Sequence, residues 1–574
     1  MFVKTDPQRS LLECEFLLPP QKAERLRKSW AEPFRTRILP LIDEELFRDA
    51  FSETTGRPNT SIRMMVALHL LKETNDLTDE QVLEELEYNL QWHYALDLEP
   101  EETHTCQKSL HNFRERLMAN ERAQQLFVKV TKALAEADGL SLGRQRLDST
   151  HVVPNIAVLT RLGLFVETVT HFLKELRAEA PEAFASLDKG YVRRYLEREG
   201  YFSDAKREQA RRRLPVVATD IYALVRAFES DVTVSAMPSY QQLERLFDEQ
   251  CELVTDDDDE SGGEGGPVGG GGLRVKAREP KEVRSDSLQS PHDPDATYGH
   301  KGKGYEVQIT ETCGKENRYQ VVTATMVNGA HESDQKAVEP MLDRLEQGEM
   351  KPKVLEADTG YGSGENIVAS AKRGVDLHAP VQNPKAPPPK DHFAAPVTDE
   401  YVPARPQQEP ERSTPAAPES PEPEKALGLE TFVFDATYHE LRACPAGKAP
   451  SSQHVVDGQL IATFAAESCG SCPLRSRCPT RLFSNGERQL RRGPASIATE
   501  VRQAVQQTAA FKDLYRERSG IESTNQEGKG RHGLGDLRIR GKPKVELAAT
   551  MKLLALNVKR AVQHHVLQMA ECAA

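Results

Sequence analysis

The sequence predicts a mixed α/β protein of α+β character: a strand-rich core with large insertions, preceded by an all-helical N-terminal block. Three observations carry this. Apolar residues recur at helical spacing through "NTSIRMMVALHLLKETN" (59–75). Period-two runs rich in β-branched residues occur at "RQRLDSTHVV" (144–153), "YGHKGKGYEVQITETC" (298–313) and "YQVVTATMVNGAHES" (319–333). Further on, apolar strands alternate with helical runs, so that without its linkers the core reads strand, strand, strand, helix, strand, helix, strand and a late helix.

The helical block spans residues 1–125. "LTDEQVLEELEYNL" opens with Thr78 and Gln81 at capping-box spacing. "HTCQKSLHNFRERLMAN" then sets Lys108, His111, Arg114 and Arg116 along a short helix. Short helices ending on a basic one fit a helix-turn-helix-like DNA reader; a plain helical bundle with solvated charges fits the same pattern.

The strand at 144–153 sits in the segment 140–155, the first piece of the core, and a helical insertion follows over 156–252. Residues 253–297 start acidic and turn glycine-rich and polar, which predicts a disordered linker. The core resumes over 298–383. "SDQKAVEPMLDRLEQGE" is a helix capped by Ser333 or Asp334. "PKVLEADTGYGS" is a strand ending at Asp358, "GENIVASAKRGV" a helix, and "DLHAPVQN" a short strand. Residues 384–428 are a proline-rich linker, 429–494 a cysteine-bearing insertion, and 495–574 the C-terminal helical part of the core.

A chain of 574 residues is long enough for two or three domains. No run of eighteen apolar residues is present, so no membrane span is expected, and "MFVKTDPQRSLLECEF" lacks the pattern of a signal peptide. The net charge of −13 speaks against nucleic acid only as a sum, because binding follows local potential. Much of the acid lies in "TDDDDESGGEGG" (255–266). Nine cysteines without a disulfide-like spacing point to a reducing compartment. Cys14, Cys106, Cys251, Cys313 and Cys572 are scattered. Cys444, Cys469, Cys472 and Cys478 cluster; they either close a tetrahedral thiolate site for structural Zn²⁺, with His454 as a substitute ligand, or stand as reduced thiols in a small β insert.

The strongly basic stretch "YRERSGIESTNQEGKGRHGLGDLRIRGKPK" (515–544) surrounds one carboxylate. Wound as a single helix from Tyr515, it places Arg518 at about 300°, Glu522 at about 340° and Lys529 at about 320°, one narrow face. A Glu binding a cation there, with basic neighbours on the phosphate backbone, suits nucleic acid. Asp148 and Asp358, at or near strand ends, supply further carboxylates, and three carboxylates with water hold two Mg²⁺ (or Mn²⁺) ions about 3.5–4 Å apart. Glu356 and Asp376 are rival acids. Arg531, His532, Arg538, Arg540, Lys542 and Lys544 continue as a flexible basic tract suited to a DNA backbone. His300, Lys301 and Lys303 either touch phosphates or form a polar strand start.

Tyr515-x2-Arg518-x3-Glu522-x6-Lys529 resembles the signature of bacterial insertion-sequence transposases with an RNase H-like DDE core. Asp148 in "LDSTHV" resembles their first Asp and Asp358 in "EADTGYGS" their second, and the N-terminal block resembles their helical domain. The likeness covers about 60–120, 144–153, 297–382 and 440 to the end. It implies an RNase H-like mixed sheet and Asp148, Asp358 and Glu522 as Mg²⁺ ligands. Arg518 and Lys529 would position phosphates, with Tyr515 near the strand and Lys108, Arg114 and the basic tract on DNA. It further implies cleavage at terminal inverted repeats, transfer to target DNA, a homodimer on DNA and a bacterial, cytoplasmic, nucleoid-associated setting. An RNase H-like nuclease without strand transfer, or a non-catalytic domesticated DNA-binding protein, would carry the same resemblance.

Overall fold

The structure, a computed structural model, describes residues 1–5, 18–98, 104–156, 159–197, 207–255, 267–268, 273–382 and 426–573. The chain forms two compact units: Met1–Pro352 together with Arg518–Ala574, and Lys353–Glu517.

In the first unit, helix α1 (Ile62–Asn75) starts where Ser61 accepts the Met64 amide and stops at Asp76, whose φ of 49° is left-handed. Ile62 and every residue from Met64 to Leu71 are buried, so α1 is a core helix without a solvent stripe. Helix α2 (Asp79–Tyr88) has the Thr78–Gln81 capping box that its spacing predicts. Helix α3 (Gln107–Met118) buries only Leu110, Phe113 and Leu117 and leaves its charges outward.

Strand β1 (Arg144–Val152) pairs antiparallel with β2 (Gly302–Thr312), in register from Gln145 opposite Thr312 to Val152 opposite Tyr305. β2 pairs antiparallel with β3 (Val322–Gly329) on its other edge. The chain order β1, insertion, β2, β3, helix α4 (Val338–Gln347) is the predicted one. The insertion is helical over Arg161–Glu179, Arg207–Phe228 and Pro238–Gln250, with its own core of Phe165, Phe172, Tyr240 and Leu243.

The linker expected over 253–297 is corrected where it is described. Cys251–Thr255 pairs antiparallel with Leu273–Ala277, and Val275 and Leu288 are fully buried in the insertion core. Asp293, also fully buried, accepts from Tyr305 Oη at 2.6 Å and from the Gly541 amide at 2.9 Å. Averaged composition hid these few apolar anchors behind the acidic and glycine-rich run, whose residues 256–266 and 269–272 lie outside the described residues. So does the proline-rich linker over 384–425.

The second unit holds a strand–helix–strand crossover: β4 (Val354–Ala357), α5 (Gly364–Lys372) and β5 (Asp376–His378), with β4 and β5 parallel. The cysteine-bearing insertion contributes a four-stranded antiparallel sheet of Ser452–Val456, Gln459–Phe464, Arg488–Arg492 and Arg481–Leu482. Helices Pro494–Val505 and Ala509–Tyr515 follow.

The single helix expected from Tyr515 onward does not form. Arg516–Gly520 tightens into a 3₁₀ turn before helix α6 (Ile521–Arg531). A 3₁₀ turn advances about 120° per residue and not about 100°, so the common face does not run from Tyr515 to Glu522. The glycine-spaced tract is also not loose. The Val153 amide donates to Gly535 O, Leu537 N to Val153 O and Asn155 N to Ile539 O, each at 2.8 Å, which extends β1 alongside it. Leu534 and Leu537 are buried beneath, and helix α7 (Lys542–Ala573) closes the chain.

If 273–297 belongs to the insertion core, Leu288→Ala costs about 2–5 kcal/mol in denaturant unfolding of that region; a linker residue would cost close to nothing.

Candidate functional site

Asp148 lies mid-way along β1, opposite Ile309 of β2, on the strand face that also carries Arg146. Its Oδ2 accepts from Asn525 Nδ2 of α6 at 3.2 Å and stands 3.8 Å from Arg518 Nη1. Arg518 Nη2 is 3.7 Å from Oε1 of Glu522, in the first turn of α6. One guanidinium therefore stands beside both carboxylates. Arg518 and Asp148 side chains are each 16% exposed, whereas Glu522 is 70% exposed and reaches solvent.

Beneath this pair lies a charge cluster. Glu311 on β2, directly opposite Arg146, is fully buried. Arg146 donates to Glu311 Oε2 from Nε at 2.8 Å and Nη2 at 2.6 Å. Arg560 Nη1 of α7 donates to Oε1 at 2.6 Å, and Thr524 Oγ1 of α6 donates to the same oxygen at 2.5 Å. Arg560 also reaches Glu527 of α6 at 3.1 Å. At Gly520 a Cβ would lie 2.1 Å from Arg146 Nη1, so a side chain there would displace this guanidinium from its place beside Glu311.

Lys529, two turns after Glu522, is on the exposed side of α6. Burial of part of its stem, then the Lys301 ammonium, lowers its pKa against the pull of Glu306 and Asp536. Lys301 is 3.5 Å from Glu306, which also faces His151 at 3.3 Å. Lys303 turns inward and donates to Leu159 O at 2.8 Å, which answers the phosphate reading for it. His300 is exposed.

The other proposed DNA residues divide. Lys108, Arg531 and Arg540 are exposed and Lys542 is half-buried. Arg538 donates to Asp76 O and to Asp76 Oδ2 at 3.0 Å, beside Lys552, which also reaches Asp76. Arg114 grips Asp79 bidentately at 2.8 and 2.7 Å, and Arg116 lies 4.4 Å over the Phe51 ring. Arg538, Arg114 and Arg116 are thus engaged in holding the helical block together and to the tract after α6.

In the second unit Asp358 follows β4 and is half-buried, its Oδ1 accepting the Gly360 amide at 2.7 Å. Of the rival acids, Glu356 is fully buried, and Asp376 is exposed with Arg502 at 3.6 Å. Tyr515 stacks on Phe511 at 6.1 Å. Cys444, Cys469, Cys472 and Cys478 are half-buried free thiols; burial, then the neighbouring Cys478, raises the Cys469 pKa. His454 is exposed. Among the described residues no three His, Cys, Asp or Glu side chains are arranged to hold a metal ion.

Two family models match the chain: Transposase DDE domain over residues 443–562, and Transposase domain (DUF772) over residues 23–116. Together the two matches support an insertion-sequence DDE transposase. The first match contains Tyr515, Arg518, Glu522, Lys529 and the four clustered cysteines; the second contains α1, α2 and most of α3. Asp148 and Asp358 fall outside both. No curated protein and no solved structure matches. DDE transposase domains generally use divalent cations, and transposases act on DNA. Among the described residues of this transposase no helix is long and apolar enough to cross a membrane.

Sequence reasoning missed Arg146, Glu311, Thr524, Asn525, Glu527 and Arg560. The one local signal was a charge at a position of a strand where the alternation calls for an apolar residue, as at Glu311.

The Arg114–Asp79 clamp gives a pH prediction. Burial favours the neutral Asp79 carboxyl, but Arg114 and then Lys72 outweigh it and bring its pKa down from 3.8 to about 2. A depressed carboxyl stabilises the fold above its unfolded value and loses that contribution as pH falls through the folded value. Asp79→Asn therefore lowers stability at neutral pH and flattens the acid-unfolding profile between pH 3.8 and about 2, read by circular dichroism.

Proposed function

We propose that this transposase binds the terminal inverted repeats of its own element, cuts there and joins the freed ends to target DNA. The arrangement that supports the reading best is Asp148 and Glu522 flanking Arg518 on a rigid strand–helix pair. Asp148, Asp358 and Glu522 act as ligands for Mg²⁺ or Mn²⁺, Asp358 entering on the resemblance of "EADTGYGS". Two such cations, when bound, activate the attacking oxygen and neutralise charge on the leaving oxygen. Arg518 and Lys529 hold phosphate oxygens, and Lys108, Arg531, Arg540 and Lys542 follow the backbone. Water attacks the phosphodiester phosphorus and the 3′-oxygen leaves as a hydroxyl; that hydroxyl then attacks a target phosphodiester, releasing its 3′-oxygen. Action at two element ends calls for a dimer on DNA, and the setting is the bacterial cytoplasm at the nucleoid. The buried orphan Oδ1 of Asn525 beside Asp148 fits a hard cation at this place.

On this reading Cys444, Cys469, Cys472 and Cys478 would hold a structural Zn²⁺ as thiolates. Three of them, Cys444, Cys469 and Cys478, pack against one apolar cluster.

The test is Mg²⁺-dependent cleavage and joining on flanked element-end DNA. Glu522→Gln should cut activity by more than about a hundredfold, beyond what loss of a supporting contact gives, with DNA binding retained. Cleavage without joining by the wild type would favour a plain nuclease, and unchanged activity in the variant a non-catalytic binder. Elemental analysis of purified protein should find about one zinc per chain, lost in Cys472→Ser.

A further inference from the structure

Asn525 on α6 touches Asp148 by a hydrogen bond and is neither an acid nor a base. It lies three residues after Glu522 and four before Lys529, so the three form one stripe of α6. Its Nδ2 donates to Asp148 Oδ2 at 3.2 Å. Its Oδ1 is buried and accepts no hydrogen bond from any described residue. The orientation of the amide follows from chemistry, because a carboxylate accepts and would repel a carbonyl oxygen turned toward it. The amide oxygen is thereby committed to a direction away from Asp148 Oδ2. A buried amide oxygen with no donor is unfavourable and calls for a partner such as a water or an ion. Carbonyl oxygens of Asn are ordinary ligands for hard divalent cations.

We propose that Asn525 is a further metal-site residue of this transposase: Nδ2 orients Asp148, and Oδ1 joins Asp148 and Glu522 in the oxygen set around a divalent cation. The inference rests on the proposed function only in placing a cation at Asp148. Glu522 and Asn525 then approach the ion from one helix face and Asp148 from the strand. The neutral amide adds a ligand without adding a further negative charge beside the half-buried Asp148.

The probe is Mn²⁺ alone, titrated into the full-length, DNA-free protein and followed by the loss of free-ion signal in electron paramagnetic resonance. Asn525→Ala should weaken Mn²⁺ binding by about tenfold with the melting temperature unchanged. Asn525→Asp should restore binding or exceed wild type, since it keeps an oxygen at the ligand position. A residue that merely orients Asp148 gives the opposite order, because an Asp at 525 would repel Asp148 and bind Mn²⁺ worst. That order overturns the proposal, as does Mn²⁺ binding unchanged in both variants, or a wild type that binds none. Should Asn525→Ala fail to fold, the Asn525→Asp arm alone decides by the same criterion. Because no DNA is cut, this readout fails or succeeds separately from the cleavage test on Glu522.

Discussion

The Glu311 carboxylate is the constraint on which the site depends. A carboxylate with no solvent contact is costly unless charge and hydrogen bonds replace its water. Here the replacement comes from three directions: Arg146 on β1, Arg560 on α7 and Thr524 on α6. Removing any one partner leaves a buried charge short of its solvation, so strand and helices are fixed together. Gly520 belongs to the same constraint, since the Arg146 guanidinium occupies the space a side chain would need.

What the cluster fixes is the position of α6 over β1, and that brings four polar side chains to one place. Asp148, two residues beyond Arg146 on the same strand face, meets Asn525 and Arg518, while Glu522 reaches out from the first turn. Two carboxylates of like sign so close would repel; the Arg518 guanidinium beside both offsets this. One residue of spacing in β1 separates the buried Arg146–Glu311 layer from the Asp148 layer above it.

The sequence made the local features legible. Strands β1 to β3, the capping box at Thr78 and the β4–α5–β5 crossover follow from period, caps and spacing. What it hid is long-range pairing. Glu311 meets Arg146, Thr524 and Arg560 across 165, 213 and 249 residues, and no local pattern reports such distances. For the same reason Arg114 and Arg538 read as free basic residues when Asp79 and Asp76 hold them. The 3₁₀ turn at Arg516–Gly520 carries no pattern in the sequence that separates it from a continuous helix.

Amide hydrogen exchange on Thr524→Val tests most directly whether this buried carboxylate holds α6 in place. The substitution keeps the side-chain shape and both Arg–Glu311 ion pairs and removes the hydroxyl that donates to Glu311 and accepts from Arg560 Nη2 at 2.8 Å. A lost hydrogen bond to a charged group should speed exchange across Ile521–Arg531 by about tenfold or more, with β1 and β2 unchanged. Unchanged exchange in α6, or equal acceleration throughout the first unit, would contradict the account.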